Sequence, residues 1–328
     1  MKVIIPVAGF GSRMRPHTNT RPKPLLSVAG KTAVAFILEE LEKLDVSEVI
    51  FITGHLKEKF EDYARENFKF NMRFIEQTSI NGTAGAVLLA EEFITEPVMI
   101  IFVDTVFDAD LSLIKHLGEN EAGIIWVKEV EDYKRFGVCV LENGYLKKIV
   151  EKPSEPISKL ANIGLYYMKD YKLMLEGIHH VFNTNKMMKG EYFLTDAFEY
   201  MVEHGAKIIC PPVAGWYDIG KPETTLESNR LLLVRHNTPD VTFENSTIIH
   251  PVNIAQGVKI ENSVIGPFAT IEAGCEIKGS IIRNSIICKK SKIEDVLLDS
   301  SIIGENAEVK GSFKRLNLGD HSTLKEQD

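Results

Sequence analysis

The chain is poor in the features that would commit it to a disulfide scaffold, a membrane or a nucleic-acid backbone. It has four cysteines, Cys139, Cys210, Cys275 and Cys288, and no C-x-x-C spacing. Such scattered thiols read as small buried hydrophobes of a reducing, cytoplasmic protein, and zinc is not expected. No apolar run approaches the roughly 18 residues that a membrane span requires. The opening MKVIIPVAGFGSRMRP carries one Lys and a short apolar stretch that Gly and Arg soon end, so it reads as neither a secretion signal nor an anchor. Positive charge is also scarce: 46 acidic against 38 basic residues leave a formal charge of −8. That balance excludes broad contact with a nucleic-acid polymer. Any handling of phosphate must rest on a local constellation.

What is present is ordinary globular material, 44% hydrophobic and 26% charged. At roughly 150 residues per domain, 328 residues suggest two domains. The pattern changes near residue 240. Before it, apolar strand-like runs at 3–7, 49–53, 72–76, 98–103 and 123–127 alternate with helical stretches at 33–44, 57–67, 84–92 and 111–119. Further helices are expected at 171–189 and 222–235. Continuous apolar strands between amphipathic helices predict an α/β domain over 1–236, a doubly wound, mostly parallel, Rossmann-like sheet. Residues 136–141 and 146–150 flank Glu142-Asn143-Gly144-Tyr145, an Asn-Gly hairpin signal for a type I′ turn.

After His236-Asn237-Thr238-Pro239 a period of six takes over. Ile248, Ile254 and Ile260 show it, then Ile265, Ile271 and Ile277, then the pairs Ile287/Ile293, Ile303/Val309 and Leu318/Leu324. An aliphatic residue every six positions, with small or turn-forming residues between, predicts a parallel β-helix over 241–328.

The first strand runs into Ala8-Gly9-Phe10-Gly11-Ser12-Arg13-Met14-Arg15-Pro16. In a doubly wound sheet, ligands bind beyond the carboxyl ends of the strands. Glycines there let backbone N–H groups approach phosphate oxygens. The G-x-G-x-x-G fingerprint fails at Met14, and the P-loop pattern fails because Leu25 replaces its leading Gly. Arg13, Arg15, Arg21 and Lys23 follow the glycines, which suits a polyphosphate or, read alone, a solvated basic loop. Asp104, at the end of the 98–103 run, is placed to hold a metal against phosphate or simply to cap a helix. Gln77, with Gly82 and Thr83, lies beyond the 72–76 run and offers a donor and an acceptor to a base edge.

Together these residues carry a resemblance. Gly9-x-Gly11-x-Arg13-Met14-x-Pro16-x-Thr18 followed by Pro22-Lys23-Pro24-Leu25-Leu26 resembles the signature of sugar-1-phosphate nucleotidylyltransferases. Glu76-Gln77, Gly82-Thr83-Ala84, Phe136-Gly137-Val138, Glu151-Lys152-Pro153, Asn162-Ile163-Gly164, Leu194-Thr195-Asp196 and Trp216-Tyr217-Asp218-Ile219-Gly220 follow in the family's order. The likeness covers about residues 2–235, and many members add a left-handed β-helix of hexapeptide repeats.

The resemblance implies transfer of a nucleotidyl group from an NTP to a sugar 1-phosphate, with Mg2+ as cofactor. Ala8, Gly9, Gly11, Gln77, Gly82 and Thr83 would bind the nucleotide. Arg13 and Lys23 would grip its phosphates, and Lys152 the sugar phosphate. Asp104 and Asp218 would hold the metal. Gly137, Glu151 and Asn162 would line the sugar pocket. It also implies a homo-oligomer. Glu76-Gln77 leans towards dTTP or UTP, and glucose 1-phosphate is the default sugar.

Two departures stand out. Val103 precedes Asp104 where Gly is common, so Asp108 and Asp110 are candidates to share the metal. Thr32 replaces a Pro at a helix start. A regulatory relative without activity, and an acetyl-transferring β-helix using His250 or His321, are the competing readings.

Overall fold

The computed structural model describes residues 1–235 and 241–311. The chain divides into two compact units, Met1–Ser228 and one beginning at Asn229. The division falls inside the last helix, earlier than the expected residue 236.

The first unit is built on β1 (Lys2–Pro6), β2 (Ser27–Val28), β3 (Lys31–Thr32), β4 (Glu48–Thr53), β5 (Met72–Glu76), β6 (Val98–Ile101), β7 (Thr105–Asp108), β8 (Glu121–Glu129), β9 (Gly137–Glu142), β10 (Tyr145–Glu151), β11 (Leu160–Met168), β12 (Lys207–Ile209) and β13 (Gly215–Asp218). Its helices are α1 (Ala33–Leu41), α2 (Lys57–Asn67), α3 (Thr83–Leu88), α4 (Tyr171–Asn183), α5 (Leu194–Glu203) and α6 (Pro222–Arg235), the last running on into the second unit. Nine strands form one sheet in the order β5-β4-β1-β6-β11-β8-β12-β10-β9. The β5-β4-β1-β6 part is parallel, as the alternation with helices predicts. Beyond it β11 runs antiparallel to β6 and β8, and β10 antiparallel to β9 and β12.

The apolar runs are continuous because both faces of the sheet are covered. Ile4, Ile50, Ile52 and Ile100 point into one core, while Val3, Ile5, Phe51, Met99 and Ile101 point into the other. Successive strand side chains alternate faces, so two cores require apolar residues at every position. The Asn143 and Gly144 turn has both residues at positive φ, 52° and 84°, as a type I′ hairpin requires. Thr32 caps α1, its hydroxyl accepting from the Ala35 N–H at 3.2 Å.

Several expected elements change. The 98–103 strand stops at Ile101, where the Phe102 N–H donates to the Gly164 carbonyl and the chain turns through Asp104 into β7. The 111–119 helix is only a short 3-10 turn, Leu111–Lys115, capped by Asp110. The 84–92 helix ends at Leu88 and resumes as the turn Glu91–Phe93. α1 ends at Leu41 rather than residue 44, since the chain must turn into β4 at Glu48. α4 ends at Asn183 rather than residue 189: Asn185 takes a left-handed conformation, φ 51°, which a continuing helix excludes. α5 and β12 are additions to the expected set.

In the second unit three parallel sheets stack coil upon coil. Ile248, Ile265, Ile282 and Leu298 are in register in one sheet, Ile254, Ile271, Ile287 and Ile303 in the next, and Ile260, Ile277, Ile293 and Val309 in the third. These columns are the six-residue period turned inward as a single core. The winding is the expected left-handed β-helix. Ser263, Ser280 and Ser285 repeat one linkage, each hydroxyl accepting the N–H one coil on, from Ser280, Val296 and Ser301. The Leu318/Leu324 repeat and His321 lie outside the described residues.

Candidate active site

The turns after β1, β5 and β6 open onto one cleft, as expected for ligands bound beyond the carboxyl ends of strands. It holds two adjoining cavities, of about 450 and 260 Å3, that share Thr83, Phe102, Asp104 and Glu191. Ala8, Gly9, Lys23, Gln77, Gly82 and Val103 line the smaller. Arg13, Gly137, Glu151, Lys152, Asn162 and Asp218 line the larger. Of the residues that the resemblance assigns to the site, Gly11 alone lines neither cavity. Its carbonyl accepts the Thr18 hydroxyl at 2.9 Å, bracing the loop.

The two aspartates meet through a small ribbon. β7 leaves the main sheet and pairs antiparallel with β13, setting Asp218 opposite Thr105. The Ile219 N–H donates to the Asp104 carbonyl at 3.0 Å, so the carboxylate-bearing residues are neighbours across the ribbon end. Asp218 Oδ1 accepts the Gly220 N–H at 2.7 Å, and Oδ2 stands 3.9 Å from the Arg135 guanidinium. Lys23 is half-buried, and the desolvation of its ammonium pulls its pKa below that of an ordinary lysine. The charges of Asp104 and Asp218 oppose that fall and the Arg13 charge adds to it. An ammonium driven into a desolvated site, with carboxylates and a guanidinium around it, is poised for an anionic ligand.

The donor set fits a hard divalent cation. Two carboxylates offer oxygen ligands, and no group of three or more His, Cys, Asp or Glu is gathered as a metal cage among the described residues. A Mg2+ ion commonly keeps waters and substrate phosphates as its other ligands, which suits a two-carboxylate site. Asp108 and Asp110 do not join it. Asp108 pairs with Gly215 at the other end of the ribbon, because four strand residues separate the ends. The Asp110 carboxylate accepts the Ser112 N–H and hydroxyl at 2.9 and 2.6 Å.

The larger cavity has a polar floor. Burial raises the Glu151 pKa above the usual carboxylate range; the Lys152 ammonium, 3.6 Å away, opposes this, and Asp196 reinforces it. A Cβ on Gly137 would lie 2.3 Å from Asn162 Nδ2 and 2.8 Å from Glu151 Oε2, so only glycine leaves this corner open. Asn162 donates to the Gly137 carbonyl at 2.8 Å and accepts from the Tyr166 hydroxyl. Gly82, at φ 105°, packs so tightly on the Tyr192 backbone that a Cβ would fall 2.3 Å from its carbonyl oxygen.

Gln77 Nε2 in the smaller cavity and Trp216 Nε1 in the larger are buried N–H donors with no hydrogen-bond partner among the described residues. Such groups are costly unless a ligand or water satisfies them. Arg15 and Arg21 line neither cavity. Sequence reasoning missed Arg135 and Glu191; the only signal for Arg135 is its place before Phe136-Gly137-Val138.

A mixed α/β sheet with a glycine loop, a desolvated lysine and two neighbouring aspartates over one cleft defines a nucleotide-handling protein. The chain belongs to the nucleotidyl transferase family, whose pattern matches residues 2–234. It is 37% identical over 240 residues to the bifunctional protein GlmU of Methanocaldococcus jannaschii, covering 73% of this chain and 56% of that protein. The chain thus spans about half the length of the GlmU proteins it matches. It is 29% identical over 239 residues to the UTP--glucose-1-phosphate uridylyltransferase AglF of Haloferax volcanii, covering 71% of this chain and 96% of that one. A crystal structure of UDP-glucose pyrophosphorylase with UDP-glucose shares the fold at TM-score 0.61 and 24% identity, covering 72% of this chain and 99% of that one. A putative glucose-1-phosphate thymidylyltransferase from Bacillus anthracis matches at TM-score 0.60 and 25% identity, covering 73% and 98%.

Proposed function

We propose that the protein transfers a nucleotidyl group from an NTP to a sugar 1-phosphate, releasing pyrophosphate and an NDP-sugar. The observation that carries this is the half-buried, desolvated Lys23 with Arg13, Asp104 and Asp218 around it in a cleft reached by the glycine loop. A sugar-phosphate oxygen attacks the α-phosphorus, and the bond to the bridging β-phosphate oxygen breaks. No covalent bond to the protein forms. Catalysis is positioning and neutralisation of charge as two anions meet.

Arg13 and Lys23 hold the triphosphate, with the Ala8, Gly9 and Gly11 loop behind it. Gln77, Gly82 and Thr83 face the base, where the unpartnered Gln77 amide supplies a donor. Lys152 holds the phosphate of the sugar 1-phosphate; Gly137, Glu151 and Asn162 shape the sugar pocket. Asp104 and Asp218 would hold Mg2+, which supplies charge neutralisation at the reacting phosphates when bound. UTP or dTTP with glucose 1-phosphate is the favoured pair, and the likeness to AglF, a UTP--glucose-1-phosphate uridylyltransferase, favours UTP. The alternatives are GTP with mannose 1-phosphate, ATP with glucose 1-phosphate and UTP with N-acetylglucosamine 1-phosphate.

We also infer a cytoplasmic homo-oligomer; a monomer by light scattering at micromolar concentration contradicts that assembly. No helix among the described residues is long and apolar enough to cross a membrane.

The test is pyrophosphate release over a matrix of NTPs and sugar 1-phosphates, with and without Mg2+. One sharp, metal-dependent pair is expected. Asp218→Asn and Lys23→Ala should each lower its turnover by about 100-fold or more, the scale of losing one electrostatic catalytic group, with the fold retained. Well-folded protein that turns over no pair would make it a nucleotide-sugar-binding regulatory subunit instead.

A further inference from the structure

Arg135 closes the short turn Tyr133–Arg135 that leads into β9. Its guanidinium is 3.9 Å from Asp218 and 3.9 Å from Asp132, too far for a tight bidentate pair with either. It lies over the Phe136 ring, whose neighbour edge-on is Trp216. Trp216 carries the unpartnered indole N–H. The wall of the larger cavity therefore presents a cation and a buried donor that the protein itself does not satisfy well. Both ask for an oxyanion.

The backbone says which one. The Phe136 carbonyl accepts the Lys152 N–H at 3.0 Å, so Arg135 and Lys152 adjoin the same hydrogen-bonded junction between β9 and β10. Arg13 instead reaches towards Gly220, whose N–H donates to the other oxygen of Asp218, Oδ1: a Cβ on Gly220 would fall 3.3 Å from the Arg13 guanidinium. A divalent ion on Asp218 would compete with Arg135 for the same oxygen and repel it. An arginine displaced from that oxygen has a planar fork suited to phosphate.

We propose that Arg135 is a second phosphate-binding cation for the sugar 1-phosphate, resting on Asp218 when the cleft is empty and moving to the phosphate beside Lys152 when metal and substrate enter. This rests on the reading of the site given above.

The experiment compares the wild-type protein with Arg135→Gln and Arg135→Lys, checking each fold by its melting midpoint. Steady-state kinetics use the best pair from the substrate matrix, and calorimetry measures Mn2+ binding without substrates. Arg135→Gln should raise the KM for the sugar 1-phosphate by about tenfold or more, the scale of one charge-assisted phosphate contact. The KM for the NTP should change far less. Arg135→Lys should restore only part of the loss, since an ammonium lacks the fork. Freed of its guanidinium neighbour, Asp218 should bind Mn2+ more tightly in Arg135→Gln. An active wild type matched by Arg135→Gln in sugar-phosphate KM and Mn2+ affinity overturns this inference alone. A wild type that turns over no pair overturns the reading of the site and this inference with it.

Discussion

At the scale of single residues, the cleft trades stability for chemistry. Glu151 is the clearest case, because burial holds its carboxyl above the ordinary range although Lys152 stands beside it. Between the unfolded and the raised folded pKa, the native protein binds more protons than the unfolded chain. Stability therefore falls as pH rises through that window, and the cost persists above it. Glu151→Gln removes the ionisable group at nearly constant shape. Its melting midpoint should exceed that of the wild type at neutral pH, and the gap should close in acid below the carboxylate range. The same variant should bind the sugar 1-phosphate less well. A Glu151→Gln midpoint below the wild type at neutral pH would mean that the ionised carboxylate stabilises the fold.

At the scale of elements, what the sequence makes legible is periodicity and local turn chemistry. The parallel strands β1, β4 and β6 read correctly because two-sided burial demands unbroken apolar runs. The β-helix reads correctly because each inward column repeats an aliphatic residue at a fixed interval. The Asn143-Gly144 hairpin reads correctly because positive φ at both positions selects those residues. The β7–β13 ribbon does not read from local pattern. Each strand has four residues, their partners are about a hundred positions apart, and nothing near Asp104 announces that its strand has already ended at Ile101. The same gap hides Arg135, whose meaning depends on Asp218, Trp216 and Lys152 brought from three other segments. The glycine loop, Lys23 and the aspartates were visible as residue types in an ordered motif. Their electrostatic coupling is a property of the ribbon.

At the scale of the whole molecule, the acidity of the chain and the cations set in its cleft are compatible because they act over different distances. A formal charge of −8 disfavours a long polyanion. The half-buried Lys23 with the Arg13 charge near it, as proposed above, would act on one bound nucleotide at contact range. The cores are likewise separate. Ile4, Phe51, Trp126 and their neighbours belong to the first unit, while the β-helix is filled by its own stacked isoleucines. The proposed nucleotide site draws only on residues of the first unit. A ligand stabilises what binds it, by about 2.7 kcal/mol at one hundred times its dissociation constant. Calorimetry with the preferred NTP and Mg2+ should therefore raise one unfolding transition and leave a second in place. Asp218→Asn should lose most of that upward shift, because one of the two carboxylates proposed for the metal is gone. A single transition that moves as a whole would mean that the β-helix core unfolds together with the catalytic one, and that binding energy gained at Lys23 is felt along the isoleucine columns.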